Sequence, residues 1–239
     1  MKFGFIGAGN MAGAIIKGMT IGTKSYKGED ISVTSKTVTS ARKLAEVCGA
    51  VAVETAAEVV KNADVLVLAV KPHVLATVVP DLKEEIAAGK PLVVSIAAGK
   101  TLDYLASLLP EGTPIVRVMP NINAKIGAAT SGMCVNEYVT EEQKKIVKEV
   151  FETIGTVIEV EENHFGIFTV LAGSAPAFAY LYMDAMARAA VKAGMPKKQA
   201  RRSQRQRWKA PRKWCWRAGN IPWHWWIRSA PPAAPPSKV

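Results

Sequence analysis

No run of eighteen or more consecutive apolar residues occurs in this 239-residue chain, so no membrane span and no membrane partner are expected. The N-terminus enters a β-rich segment directly, without the charged, apolar and small-residue succession of a signal peptide, and a cytoplasmic setting is expected. Cysteine is scarce: Cys48, Cys134 and Cys215 are odd in number and widely separated, which fits neither a disulfide framework nor the paired spacing of a zinc site. They read as ordinary thiols, and no metal site is expected. Histidine is equally scarce, and His73, His164 and His224 are too scattered to form a general-base constellation, so each reads as a surface or structural residue and no catalytic side chain is assigned.

Acid is missing from one end only. Residues 201–239 hold ten of the 31 Lys+Arg and no Asp or Glu, whereas residues 1–200 are almost balanced, so the net charge of +11 belongs to the tail. All six tryptophans and six of the 14 prolines also lie there, and the two parts need separate explanations. The 49% hydrophobic content is ample for a buried core.

The body alternates. Residues 2–6, 31–34, 51–53, 64–70, 91–96 and 115–118 read as short strands, several of them continuous apolar runs of the kind a parallel strand buried on both faces requires. Between them, 10–19, 40–47 and 56–61 carry helical signals, so right-handed crossovers and a parallel sheet are expected. Residues 129–135 and 156–160 are expected as further strands, separated by a helix over 141–154 that Thr140 caps and acids open. From about Phe165 strand signals cease, and 174–193 is a long Ala- and Met-rich helical stretch. The expected fold class is α/β: a Rossmann-type, doubly wound, mostly parallel sheet over residues 1–163, the start of an all-helical domain over 164–200, and an aberrant tail over 201–239.

Gly7-Ala8-Gly9-Asn10-Met11-Ala12 follows the first strand and opens the first helix, a G-x-G-x-x-A form of the dinucleotide fingerprint. Gly7 permits the tight turn, Gly9 lets backbone approach a pyrophosphate, and Ala12 lets the helix pack closely while its N-terminus faces the anion. An NAD-binding strand usually ends in an acid that holds the ribose 2′-hydroxyl, but here the second strand runs into Ser35-Lys36-Thr37. A lysine beside two hydroxyls suits a 2′-phosphate, with Arg42 about two turns on, so NADP(H) is expected ahead of NAD(H). Three further elements end strands on the same rim, where ligands of open α/β sheets bind: Ala69, Val70, Lys71 and Pro72; then Ser95 to Ala97, Ala98 and Gly99; then Arg117-Val118-Met119-Pro120-Asn121. Pro72 is expected to stop its strand and begin a helix.

The series GFIGAGNMAGAI, AVKPH, SIAAG, VRVMPN and LAGSAPAF, in this order across residues 1–200, resembles the pyrroline-5-carboxylate reductase family. The resemblance implies a hydride carried by NAD(P)H to the C=N carbon of 1-pyrroline-5-carboxylate in the last step of proline synthesis. It places Gly7, Ala8, Gly9, Asn10, Met11, Ser35, Lys36, Ala69, Val70, Lys71, Pro72, Ala97, Ala98 and Gly99 on the cofactor. It places Asn121, Glu162, Gly173, Ser174, Ala175, Pro176 and Ala177 near the imino acid. Two departures stand out: Ala175 where the family has a second glycine in Gly-Ser-Gly-Pro, with a methyl that either crowds the substrate loop or is harmless, and Ala56 where many relatives carry asparagine near the adenosine.

Resemblance stops near Arg201, where the family continues with amphipathic helices and a Ser-Pro-Gly-Gly-Thr-Thr loop. Dropping two bases from a compatible back-translation from Pro211 onward turns the tail into AKMVLESGEHPMALVDQVCSPGGTTIEG, so a shifted reading frame accounts for its composition. The tail as written is expected to be disordered, with a homo-oligomer forming only if the helical segment is intact. Two other readings are a basic, Trp-rich arm for nucleic acid, not expected, and a dinucleotide-binding protein without catalysis.

Overall fold

The computed structural model describes residues 1–23 and 25–207. The order is β1 (Phe3–Ile6), α1 (Asn10–Lys17), β2 (Ile31–Thr34), α2 (Val38–Cys48), β3 (Val51–Ala52), α3 (Ala56–Lys61), β4 (Val65–Leu68), α4 (Leu75–Val78), α5 (Lys83–Gly89), β5 (Leu92–Ser95), α6 (Leu102–Leu108), β6 (Ile115–Met119), β7 (Ala129–Val135), α7 (Glu141–Glu152), β8 (Gly155–Glu159), α8 (Phe165–Phe168), α9 (Ala175–Lys192) and α10 (Lys197–Arg207).

The strands form one sheet in the order β3-β2-β1-β4-β5-β6-β7-β8. The first six are parallel, β7 runs antiparallel to β6, and β8 is parallel to β7. Chain order reverses at β1, whose Ile6 is in register with Thr34 on one side and Leu68 on the other, and this switch opens a crevice at the carboxyl ends of the strands. β1, β4 and β5 are buried at every position, as strands covered on both faces must be. One core cluster packs α1, α2 and α7 on one face through Ile15, Ile16, Ala41 and Phe151; the other packs α3, α5 and α6 through Val59, Ile86 and Leu105.

Two helix starts follow from their sequences. Thr140 and Gln143 form a reciprocal capping box at α7, with Glu141 and Glu142 in the first turn where they complement the helix dipole. Thr101 caps α6 by accepting from Tyr104 N at 3.2 Å.

Several expectations need correction. β4 does end before Pro72, but the next helix begins at Leu75, three residues after the proline, because residues 72–74 form a turn first. α1 stops at Lys17 and continues as a π-helix over Gly18–Gly22, where a β-carbon on Gly18 would meet Ile154 and Thr153. Met1–Pro176 forms the first compact unit. The segment after β8 stays with the sheet because Gly132 on β7 exposes its backbone to the Phe168 ring and Asn121 donates to Ala172 O at 2.9 Å.

The second unit begins at Ala177. In it α9 ends at a turn through Gly194, whose φ is +93°, and Pro196 sets up α10. α10 runs to Arg207, past residue 200 where disorder was expected, because Lys, Arg, Gln and Ala favour helix and no Gly or Pro interrupts residues 197–207. The expected disorder of residues 208–239, with Cys215 and His224, lies outside the described residues.

Candidate cofactor and substrate site

The rim at the strand ends is built from backbone first. Gly7 has φ +114°, and a β-carbon there would sit 2.5 Å from Ala69 O, so the turn after β1 admits only glycine. Gly7 N donates to Thr34 O at 2.8 Å and Ala69 N to Ile6 O at 2.9 Å, which knits the ends of β1, β2 and β4 together. Gly9 is the N-cap of α1 and has nothing within 4 Å of where a β-carbon would point. No side chain caps α1 and no acid stands in its first turn, so its first amides are left without a side-chain acceptor at the positive end of the helix dipole. This is a cradle that suits a pyrophosphate. Ala12 is buried against the sheet, as the fingerprint requires.

Beyond β2, Ser35 Oγ donates to Thr37 O at 2.8 Å, and Thr37 shares a hydrogen bond with Ser40. Lys36 is exposed and forms no ion pair among the described residues. Arg42, expected as a second cation, stands 3.6 Å from Glu54, both largely exposed. Ala69 and Val70 are half-buried where β4 ends, Lys71 is exposed, and Pro72 follows. At β5 the loop turns back on Ser95, whose Oγ accepts from Ala97 N at 3.3 Å. Ala97 is buried, while Ala98 and Gly99 are exposed on the rim.

The residues expected near the substrate are partly gathered. Asn121 is buried with both amide atoms engaged: Oδ1 accepts from Asn123 N at 3.1 Å and Nδ2 donates to Ala172 O at 2.9 Å. That bond brings Gly173 beside Met119, where a β-carbon on the glycine would lie 3.5 Å from the Met119 methyl. Gly173, Ser174, Ala175 and Pro176 are helical, in line with the helical stretch expected from residue 174: Thr169–Ser174 is a π-helix leading straight into α9, an irregularity that often marks functional sites. Ala175 has φ −52° and ψ −37°, ordinary right-handed helix, so its methyl meets no backbone constraint. Ala177 opens the second unit.

Sequence reading missed what Glu162 does. Its Oε1 accepts from Leu102 N at 2.7 Å and from Arg117 Nη1 at 2.8 Å, and the Arg117 guanidinium lies 4.3 Å from the centre of the Phe165 ring. The signal was present: an arginine inside the apolar strand Ile-Val-Arg-Val-Met demands a partner. Beside the pair, burial pushes the Cys134 thiol up to about 12, with Glu162 adding to the shift and Arg117 opposing it. Cys48 is also raised, by burial, and both thiols are free. His73 is exposed, and His164 is exposed 3.9 Å from Glu161. Among the described residues no group of three metal-ligating side chains occurs.

A groove of about 940 Å³ runs along α1, between α2 and residues 124–127, and reaches the fingerprint only at Ala8, Gly9 and Asn10. It is the flank of α1, whereas the rim just described lies at the strand ends. Length and composition would let Glu162–Lys192 cross a membrane, at a mean hydropathy of 1.4; no unbroken apolar run was found because Thr169, Ser174, Asp184 and Arg188 interrupt it.

Residues 2–99 match the family described as NADP oxidoreductase, coenzyme F420-dependent, and residues 162–215 match the pyrroline-5-carboxylate reductase dimerisation family. The pyrroline-5-carboxylate reductase of Methanosarcina acetivorans is 40% identical over 199 residues, 83% of this chain and 73% of that protein. The Escherichia coli enzyme of the same name is 36% identical over 199 residues, with the same coverage of 83% and 73%. Among solved structures, the pyrroline-5-carboxylate reductase of Coxiella burnetii superposes with a TM-score of 0.88 at 30% identity, over 96% of this chain and 85% of that one. The NADP-bound pyrroline carboxylate reductase of Plasmodium falciparum gives 0.86 at 24% identity, over 98% and 86%, a likeness of fold. With the glycine turn, the open helix cradle and the strand-end rim in place, and with identities of this size over most of the relatives' length, the chain belongs to the pyrroline-5-carboxylate reductase family.

Proposed function

We propose that this chain is an NADPH-dependent reductase that converts 1-pyrroline-5-carboxylate to proline. The observation that carries the reading is the rim: a turn that admits only glycine, a helix N-terminus without a side-chain cap, and a backbone-lined edge on β4 and β5 leading to the 173–176 segment. The nicotinamide cofactor supplies the hydride when bound. Gly7, Ala8, Gly9, Asn10 and Met11 would hold its pyrophosphate, Ser35 and Lys36 its 2′-phosphate, and Ala69, Val70, Lys71, Pro72, Ala97, Ala98 and Gly99 its nicotinamide half. Asn121, Gly173, Ser174, Ala175, Pro176 and Ala177 would border the imino acid.

A protonated imine is already electrophilic, so the side chains need only orient and desolvate it. The scattered, exposed His73 and His164 agree with that division of labour. Lys36, with no ion pair among the described residues, supports NADP over NAD. Free thiols accord with a reducing, cytoplasmic setting. We read the exposed apolar side chains of α8 and α9 as an oligomer interface and not a membrane surface, because residues 162–215 match a dimerisation family.

Absorbance at 340 nm with 1-pyrroline-5-carboxylate and NADPH tests the reading. It should be run on the chain as written and on the chain with AKMVLESGEHPMALVDQVCSPGGTTIEG restored after residue 210. Substrate-dependent oxidation by either supports the assignment, and none from both overturns it.

A further inference from the structure

The rim loop between β5 and α6 is held at both ends. Ser95 Oγ accepts from Ala97 N at 3.3 Å as the strand ends, and Glu162 Oε1 accepts from Leu102 N at 2.7 Å as the helix begins. Ala98 and Gly99 lie between the two tethers, and Gly99 has φ +73° with open space where a side chain would be. The same Glu162 oxygen also accepts from Arg117 at 2.8 Å, whose side chain is 10% exposed on the neighbouring strand and lies over the Phe165 ring. At the far end of the helical stretch that starts there, Asn121 holds Ala172 O at 2.9 Å. The stretch leading to Gly173 and Ser174 is therefore clipped to the rim at both ends, and one of the clips is also the anchor of the 97–102 loop.

We propose that Glu162 is a positioning residue for hydride transfer and not a substrate contact: its carboxylate fixes the cofactor loop and the substrate segment in one frame. The proposal rests on the reductase reading of the rim. A carboxylate at the N-terminus of α6 gains from the helix dipole as well as from the Leu102 amide, and a charge-assisted bond is stronger than a neutral one. Without it, the loop regains conformations that cofactor binding must then remove. Donor and acceptor carbons must meet within about 3 to 3.5 Å, and misplacement of about 1 Å costs roughly a hundredfold in rate.

Leu102 allows the tether to be cut alone. It is the first residue of α6, where proline is well tolerated, and Thr101 before it has φ −80° and ψ 164°, which proline also accepts. Leu102→Pro removes the N–H and leaves the Arg117–Glu162 pair intact; Leu102→Ala removes the same side chain and keeps the N–H. Calorimetric titration with NADPH should place Leu102→Ala within about twofold of the unaltered chain, and Leu102→Pro about tenfold weaker. Glu162→Ala removes the Arg117 bond as well and should weaken binding at least as much, and adding Leu102→Pro to it should weaken binding no further, since the Leu102 bond is already gone. Hydrogen exchange at residues 97–101 should rise in Leu102→Pro while its thermal midpoint stays near that of Leu102→Ala. Equal NADPH affinity and equal exchange in the two Leu102 variants overturn the proposal alone. Failure of the unaltered chain to bind NADPH overturns the cofactor reading and this inference with it.

Discussion

Lys36 and Gly7 bear on the proposed cofactor site in two different ways. Lys36 reaches the rim as an exposed cation with no ion pair among the described residues, so its charge is available to a 2′-phosphate. Lys36→Glu should weaken NADPH binding by about ten- to a hundredfold and narrow or reverse the preference over NADH, measured by titrating both cofactors. Equal affinity of the unaltered chain for both would sink the assignment. Gly7 acts through backbone: at φ +114° with Ala69 O 2.5 Å from any β-carbon, Gly7→Ala should cost at least about 1 to 3 kcal/mol in thermal unfolding and abolish cofactor binding. Cys134 gives a chemical test of burial. With its thiol raised from 9.0 to about 12, alkylation at pH 8 should run about a thousandfold slower than in the unfolded chain, as peptide mapping after iodoacetamide would show. The sign of the linkage follows: the raised folded-state value favours the native state below pH 9, and that contribution is lost as pH rises from 9 toward 12.

At the scale of elements, the glycine of β7 sets how closely the next helix approaches. A β-carbon on Gly132 would stand 2.6 Å from the Phe168 ring, so Gly132→Val should push α8 and the π-helix off the sheet, at a cost of about 1 to 3 kcal/mol in urea unfolding. The capping box at α7 is the milder case, since Thr140→Ala removes one acceptor and should cost about 1 kcal/mol. Periodicity and caps made these elements readable in order: Thr140 before Glu141 and Glu142 announced α7, and apolar runs announced β4 and β5. The helical stretch expected from residue 174 starts earlier in the structure, with the 169–174 segment as a π-helix leading into it. Its helical form comes from contacts distant in sequence, with Phe168 on Gly132 and Ala172 bonded to Asn121.

For the whole molecule, the exposed apolar residues are the main unanswered surface. Within the first unit Ile167 and Leu171 are 56% and 67% exposed, and within the second Phe178 and Leu181 are 60% and 69% exposed, more than isolated surface residues require. Light scattering after gel filtration should show at least a dimer for the frame-restored chain, and Leu181→Glu should shift it toward monomer. Retention of the oligomer by that variant would argue for an interface elsewhere. The sequence alone determined the alternation of strands and helices, the glycine turn at the first crossover and the break in composition near residue 201, because each is written in neighbouring residues through period, φ preference or charge. Only the tertiary structure decided that Glu162 belongs to Arg117 and Leu102, and that the first unit runs on to Pro176. Those pairings join residues 45 and 60 positions apart, and their energy depends on burial and distance, which local pattern does not carry.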